Sequence, residues 1–277
     1  MDFLQAIIMG IVQGVTEFLP ISSSGHLALV GNLMGVNMES YAFLAALLHV
    51  GTLVAVFIAF RKTIWKLILA LIELIKKIFT GKFSFKQATA SERMLIFLVV
   101  SCLPLIIALF IKDSIERIAN YTWMVGIALI INGIVLFVSD HVPPSDKKAG
   151  RMTFGDAIRI GLAQLVAVTP GISRSGSTIT MGVACGLDRA YAAKYSFILS
   201  IPAILAGAAV SFKDALSDGS LVASSIPAYL VGMVIAGVVG FLAIKLLEYL
   251  LRSKKFYIFA IYSIVVGVAA IILNFVM

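Results

Sequence analysis

Charge is scarce in this chain. Only 13% of its 277 residues are charged and 61% are hydrophobic, whereas a soluble domain is nearer a quarter charged. A mean hydropathy of +1.05 excludes an ordinary soluble globule, and apolar runs long enough to cross a ~30 Å hydrocarbon core recur along the chain. Cysteine is nearly absent: Cys102 and Cys185 both sit in apolar segments, which argues for small buried hydrophobes over a disulfide or a metal site. A cleaved signal peptide is not expected, because Asp2 stands where a basic n-region belongs and polar residues interrupt the first apolar run. The composition is that of an integral membrane protein.

Six runs have spanning length: 41–60, 94–111, 122–138, 195–212, 226–244 and 257–275. Two further apolar segments, 3–36 and 154–187, are broken at their centres by "FLPISSSG" and "TPGISRSG". Each half is about 12–16 residues, too short to span. Non-helical backbone at membrane depth is tolerated only where protein buries it or it lines a cavity, so both segments are predicted to be re-entrant helix–loop–helix hairpins.

The 22 basic residues against 14 acidic ones give a net charge of +8. Most fall in four groups: the loop 61–93, the segment 139–159, Arg189 with Lys194, and Lys245 to Lys255. With the hairpins re-entrant, all four groups share one face, which the positive-inside bias makes cytoplasmic. Both termini then lie outside. This placement points to topology and lipid headgroups rather than nucleic acid.

Residues 3–36 and 154–187 align without gaps at an offset of 151. Gln13 matches Gln164, Ile21-Ser22 matches Ile172-Ser173, and Ser24-Gly25 matches Ser175-Gly176. Each half of the chain, 1–150 and 151–277, is one hairpin followed by three spans, and an odd number of crossings inverts the second copy. The expected fold is an all-α polytopic membrane protein with an inverted-topology repeat. The GxxxG pairs Gly31/Gly35 and Gly182/Gly186 are expected to pack the hairpins closely against neighbouring spans.

At both breaks, serines (Ser22, Ser23, Ser24; Ser173, Ser175) precede a half-helix. Capping alone accounts for serine there. Two helix N-termini brought together would also form an anion pocket, with hydroxyl donors and Arg174 as a permanent planar cation for phosphate. Capping does not need Arg174 or Glu17, and ionisable residues inside a membrane are functional candidates. At the offset of 151, Glu17 faces Val168, Ser23 faces Arg174 and His26 faces Ser177. One break thus supplies carboxylate and imidazole, the other the cation, a division suited to phosphoryl transfer. His26 can take a proton from Ser23 or water, or attack phosphorus itself. Glu17 can orient His26 or hold a divalent cation, and Gln13 shares its helical face. His49 and His141 read as structural or solvated, Asn132 as a helix–helix contact, and Asp188 and Arg189 as interface markers.

These residues lie in two motifs, "QGVTEFLPISSSGH" (Gln13 to His26) and "PGISRSGST" (Pro170 to Thr178). With both, the sequence resembles, over its full length, the undecaprenyl-diphosphatase family, also called bacitracin resistance proteins. The resemblance implies an enzyme of the bacterial plasma membrane that hydrolyses undecaprenyl diphosphate to undecaprenyl phosphate and inorganic phosphate. That reaction recycles the carrier for peptidoglycan precursors and gives resistance to bacitracin. It further implies a lipid diphosphate substrate, a divalent cation (Mg²⁺ or Ca²⁺) and a site opening to the outer face. The matching functional positions are Gln13, Glu17, Ser23, His26, Ser173, Arg174, Ser175 and Thr178. Many members carry Glu where this chain has Gln13, and an amide is a weaker ligand for a hard cation. The nucleophile is open between Ser23 and His26. Oligomeric state is also open, with a homo-oligomer among the alternatives. An inverted repeat also suits a transporter or flippase of the phosphorylated lipid, although fold alone is weak evidence of function.

Overall fold

The capping residues begin the helices where the sequence changes from polar to apolar. Asp2 accepts from the Gln5 backbone N–H while the Gln5 side chain returns to the Asp2 N–H, and this capping box starts α1, Phe3–Phe18. Thr89 with Glu92 starts α5, Ala90–Cys102, and Thr153 with Asp156 starts α7, Phe154–Val166. The computed structural model describes residues 2–35, 38–111, 115, 117–118, 121–217, 223–252 and 256–276. The remaining α-helices are α2 (Ser23–Leu33), α3 (Met38–Ala59), α4 (Arg61–Phe79), α6 (Thr122–Asp140), α8 (Arg174–Ala184), α9 (Arg189–Ser217), α10 (Ile226–Arg252) and α11 (Tyr257–Val276). Among the described residues there is no β-strand beyond one isolated bridge between Lys147 and Leu187.

Five segments are long and apolar enough to cross a membrane: Ala90–Phe110, Thr122–Asp140, Arg189–Lys213, Ile226–Leu251 and Tyr257–Phe275. The first continues past α5 as a 3-10 helix, Leu103–Phe110, where Pro104 removes a backbone donor. Polarity is inverted relative to a soluble protein. Leu242 and Val265 face outward while Gln13, Thr52, Ser200 and Ser263 are fully buried. This is a multi-span membrane protein.

One expectation is corrected. The basic stretch 61–93 is not simply a loop. Residues 61–79 form α4, bent 87° from α3. Five basic residues and Glu73 lie within its 19 residues, too many charges for a helix that crosses the bilayer alone. Yet Ile64, Leu67 and Leu74 recur on one side and face the protein, the period of an amphipathic helix.

Without apolar lipid-to-protein transfer to drive them together, membrane helices associate by close packing. A Cβ on Gly10 of α1 would meet the Gly232 carbonyl of α10 at 2.5 Å, and one on Gly51 of α3 would meet the Met233 carbonyl at 2.1 Å. Gly126 of α6 and Gly267 of α11 approach in the same way. The predicted GxxxG contacts differ. Gly182 does pack on Ala192, at 3.1 Å from an ideal Cβ. Gly35 and Gly186, however, have φ of +61° and +80° and end α2 and α8 as left-handed caps.

Candidate active site

The breaks at 19–22 and 167–173 lie side by side. α1 ends at Phe18 with Leu19 as its extended C-cap, the residue before Pro20 being biased away from helix. Ser22 then turns the chain with φ +71°, the only positive φ at a non-glycine among the described residues, so that α2 starts back beside the last turn of α1. Ser22 Oγ caps α2 by accepting from the Gly25 N–H at 3.3 Å, and Ser173 Oγ caps α8 by accepting from the Gly176 N–H at 3.1 Å. The contacts between the breaks are exchanged at the offset of 151. A Cβ on Gly25 would lie 3.1 Å from Gly171 Cα, and one on Gly176 would lie 3.2 Å from Pro20 Cβ.

Asn132, on α6, joins the two breaks. Its Nδ2 donates to the Pro20 carbonyl at 2.9 Å and its Oδ1 accepts from the Ser173 N–H at 3.0 Å. Nδ2 also lies 3.3 Å from Ser263 Oγ on α11. Asn132→Leu keeps the volume but leaves two buried backbone groups unpaired, at about 1–3 kcal/mol each. An overall loss of about 2–4 kcal/mol is expected, read as earlier unfolding in a detergent–denaturant titration. An unchanged transition would show that water replaces the amide.

Around this junction the polar side chains converge on Glu17, whose side chain is only 3% exposed. Oε1 pairs with Arg174 Nη2. Oε2 accepts from Ser23 Oγ at 2.7 Å and from Gln13 Nε2 at 3.0 Å. His49 Nε2 of α3 lies 3.5 Å from the same oxygen, so His49 belongs to the site rather than to a solvated span end. A buried carboxylate is tolerable only when paired and hydrogen-bonded in this way.

His26 is held differently. Its Nδ1 lies 2.8 Å from the Ser22 carbonyl, which only accepts, so Nδ1 carries hydrogen. Nε2 lies 2.9 Å from the Tyr262 hydroxyl of α11, with the two rings stacked 5.6 Å apart. Both nitrogens are therefore occupied, and neither bonds Ser23 or Glu17. The structure brings Ser23 to Glu17, not to His26.

Ser24 is exposed, 3.4 Å from Ser22 Oγ. Ser173, Ser175 and Thr178 are buried. The Ser173 and Ser175 hydroxyls lie 3.1 Å apart, and Ser175 reaches the Leu19 carbonyl at 3.4 Å. Thr178 Oγ1 donates to the Arg174 carbonyl at 2.8 Å and lies 2.6 Å from Ser196 Oγ. In this arrangement the three hydroxyls shape the turn that presents Arg174.

Among the described residues no three His, Cys, Asp or Glu side chains gather as a metal cluster. One feature does suit a hard cation. Gln13 Oε1 is buried and has no hydrogen-bond partner, and it lies one helical turn from the Glu17 carboxylate. Mg²⁺ is often held by one or two carboxylates together with substrate phosphates; Glu17 is the one carboxylate here, and Gln13 Oε1 would add a neutral oxygen.

His49, Asn132 and Tyr262 complete the site beyond the two motifs. A polar residue within an apolar span was the available signal for His49 and Asn132. Tyr262 carried none, since aromatic residues are ordinary in spans.

The sequence model of the family described as Bacitracin resistance protein BacA matches residues 6–269. Relatives named undecaprenyl-diphosphatase align end to end. The one from Methanosphaera stadtmanae is 40% identical over 281 residues, covering 100% of both chains. Those from Alkaliphilus metalliredigens and Mycolicibacterium smegmatis are each 38% identical, covering 99% of this chain and 99% and 97% of their own.

Proposed function

The chain belongs to the Bacitracin resistance protein BacA family, and on that premise we propose that the cluster around Glu17 is where it hydrolyses undecaprenyl diphosphate. The products are undecaprenyl phosphate and inorganic phosphate. The chain is a membrane hydrolase with a lipid diphosphate substrate, and its turnover recycles the carrier for peptidoglycan synthesis and confers bacitracin resistance. The observation that carries the site assignment is the Ser23–Glu17–Arg174 arrangement, which puts a hydroxyl, a proton acceptor and a phosphoryl-binding cation in contact.

In this reading the terminal phosphoryl group enters at the N-termini of α2 and α8, beside Ser24 and Arg174. Arg174 turns from Glu17 to the phosphoryl oxygens and offsets their charge. Ser23 Oγ attacks the terminal phosphorus and its proton passes to Glu17. The bond to the bridging oxygen breaks, and its electron pair leaves with undecaprenyl phosphate. Water then attacks the phosphoserine and releases phosphate, with the Ser23 oxygen recovering a proton. Ser22, Ser173, Ser175 and Thr178 hold the two turns, and the Tyr262–His26 pair flanks the cluster on the α11 side. A divalent cation, Mg²⁺ or Ca²⁺, held by Glu17 and Gln13 Oε1, would neutralise diphosphate charge.

The basic groups at one end of the bundle support a cytoplasmic assignment for that end, both termini outside, and a site that opens outward. The exchanged contacts of Gly25 with Gly171 and Gly176 with Pro20 support the inverted repeat.

The test is phosphate release from undecaprenyl diphosphate by purified protein in detergent, with and without chelator, for wild type beside Gln13→Glu. Wild type is expected to release phosphate and to lose most of that rate on chelation. Gln13→Glu is expected to need about tenfold more chelator, as a second carboxylate tightens a hard-cation site. No release under any condition would sink the assignment. Chelator-insensitive release would remove only the cation.

A further inference from the structure

Below the α3–α4 bend, a cavity of about 390 Å³ is lined by Arg61, Lys62, Lys194 and Lys245 together with Phe60 and Glu248. An adjoining cavity of about 250 Å³ shares Lys62, Thr63 and Lys194 and adds Lys66 and Tyr191. Glu248 is the single acid in either lining, and it is already paired with Lys245 at 2.9 Å. Among the described residues no ion pair involves Lys62, Lys66 or Lys194.

A further observation points to an anion there. No side chain caps the first turn of α4, and the backbone N–H groups of Arg61 and Lys62, with the positive helix end, belong to residues lining the first cavity.

We propose that this pocket binds the phosphate headgroup of an anionic phospholipid, at a site separate from the one that hydrolyses diphosphate. It lies beyond the end of α3, and His49 is eleven residues up that helix from Phe60, roughly 16 Å at 1.5 Å per residue. The choice of a lipid over free phosphate rests on α4. It leaves α3 at 87°, and so runs along the membrane surface when α3 crosses it. Trp65, Ile68, Leu69 and Ile72 point outward from it, an apolar face beside the cations for acyl chains to cover.

The test is native mass spectrometry of the full chain titrated with phosphatidylglycerol, phosphatidylcholine or inorganic phosphate. Wild type is expected to retain phosphatidylglycerol in preference to phosphatidylcholine. At about fivefold per lysine near an anionic surface, Lys62→Ala should weaken binding about fivefold and Lys62→Ala/Lys194→Ala about 30-fold. Lys82→Ala/Lys86→Ala, on exposed residues outside the pocket, should leave it unchanged. The single variant, on the exposed first turn of α4, keeps the test decisive if the double variant fails to fold. Equal retention by wild type and Lys62→Ala overturns the proposal, as does equal loss in the Lys82/Lys86 control. Binding of inorganic phosphate without phosphatidylglycerol overturns it in favour of a soluble anion.

Discussion

Arg174→Ala is expected to slow phosphate release about 10³-fold or more, the scale set by arginines that offset charge on a transferring phosphoryl group. Two effects contribute. The substrate loses its planar cation, and Glu17 loses its partner inside the protein. Removing one member of a buried ion pair costs about 3–5 kcal/mol, because the other charge stays buried and uncompensated. That is enough to unfold a marginal protein, so a low rate alone would be ambiguous. Glu17→Gln/Arg174→Ala separates the two effects. The neutral amide no longer needs a counter-ion, so the double variant should regain most of the stability and none of the rate. Arg174→Lys keeps charge without the fork and should fall between. Wild-type turnover in Arg174→Ala would reduce Arg174 to a structural counter-ion and remove the phosphoryl site from the α8 N-terminus.

Ser23→Ala is expected to lose about 10³-fold or more, leaving only what Arg174 and binding supply. The reason is positional. Ser23 Oγ donates to Glu17 at 2.7 Å, the contact expected of a nucleophile and its base. His26 directs its ring nitrogens to Ser22 and Tyr262. Tyr262→Phe removes only the second of these bonds and should cost tenfold or less, since His26 is not required as base in this geometry. If Tyr262→Phe falls as far as Ser23→Ala, and acid-quenched turnover of labelled substrate leaves no label on Ser23, the chemistry moves to His26.

Much of this is legible in the sequence. The two breaks, Pro20 and Gly171 within serine-rich turns, could only be helix ends, and they are. Glu17 and Arg174 were the ionisable residues least at home in a membrane, and they meet. The partnership inside the site was less legible. Ser23 and His26 are three apart at a helix start, which suggests a shared face, but the positive φ at Ser22 aims Ser23 back at α1 and leaves His26 to α11. His49 and Tyr262 themselves lie 23 or more residues from the motifs, and no spacing rule reaches that far. The amphipathic α4 was hidden for a different reason: a criterion tuned to uninterrupted apolar runs cannot see a helix whose lysines recur along one face.

The Asn132 junction also bears on how the protein is made. Its three partners, Pro20, Ser173 and Ser263, emerge from the ribosome at widely separated times. When residues 1–140 have entered the bilayer, Asn132 can hold Pro20, but its carbonyl oxygen has nothing to accept from until the second hairpin arrives. Arg174, the counter-ion of Glu17, comes with that same hairpin. Until then Glu17 has only the donors of its own half, Gln13, Ser23 and His49, and a carboxyl so placed stays protonated or hydrated. The second hairpin brings Ser173 and Arg174, and α11 brings Ser263 and Tyr262 later still, so a chain truncated before α8 holds half of the turn and none of the phosphoryl-binding charge.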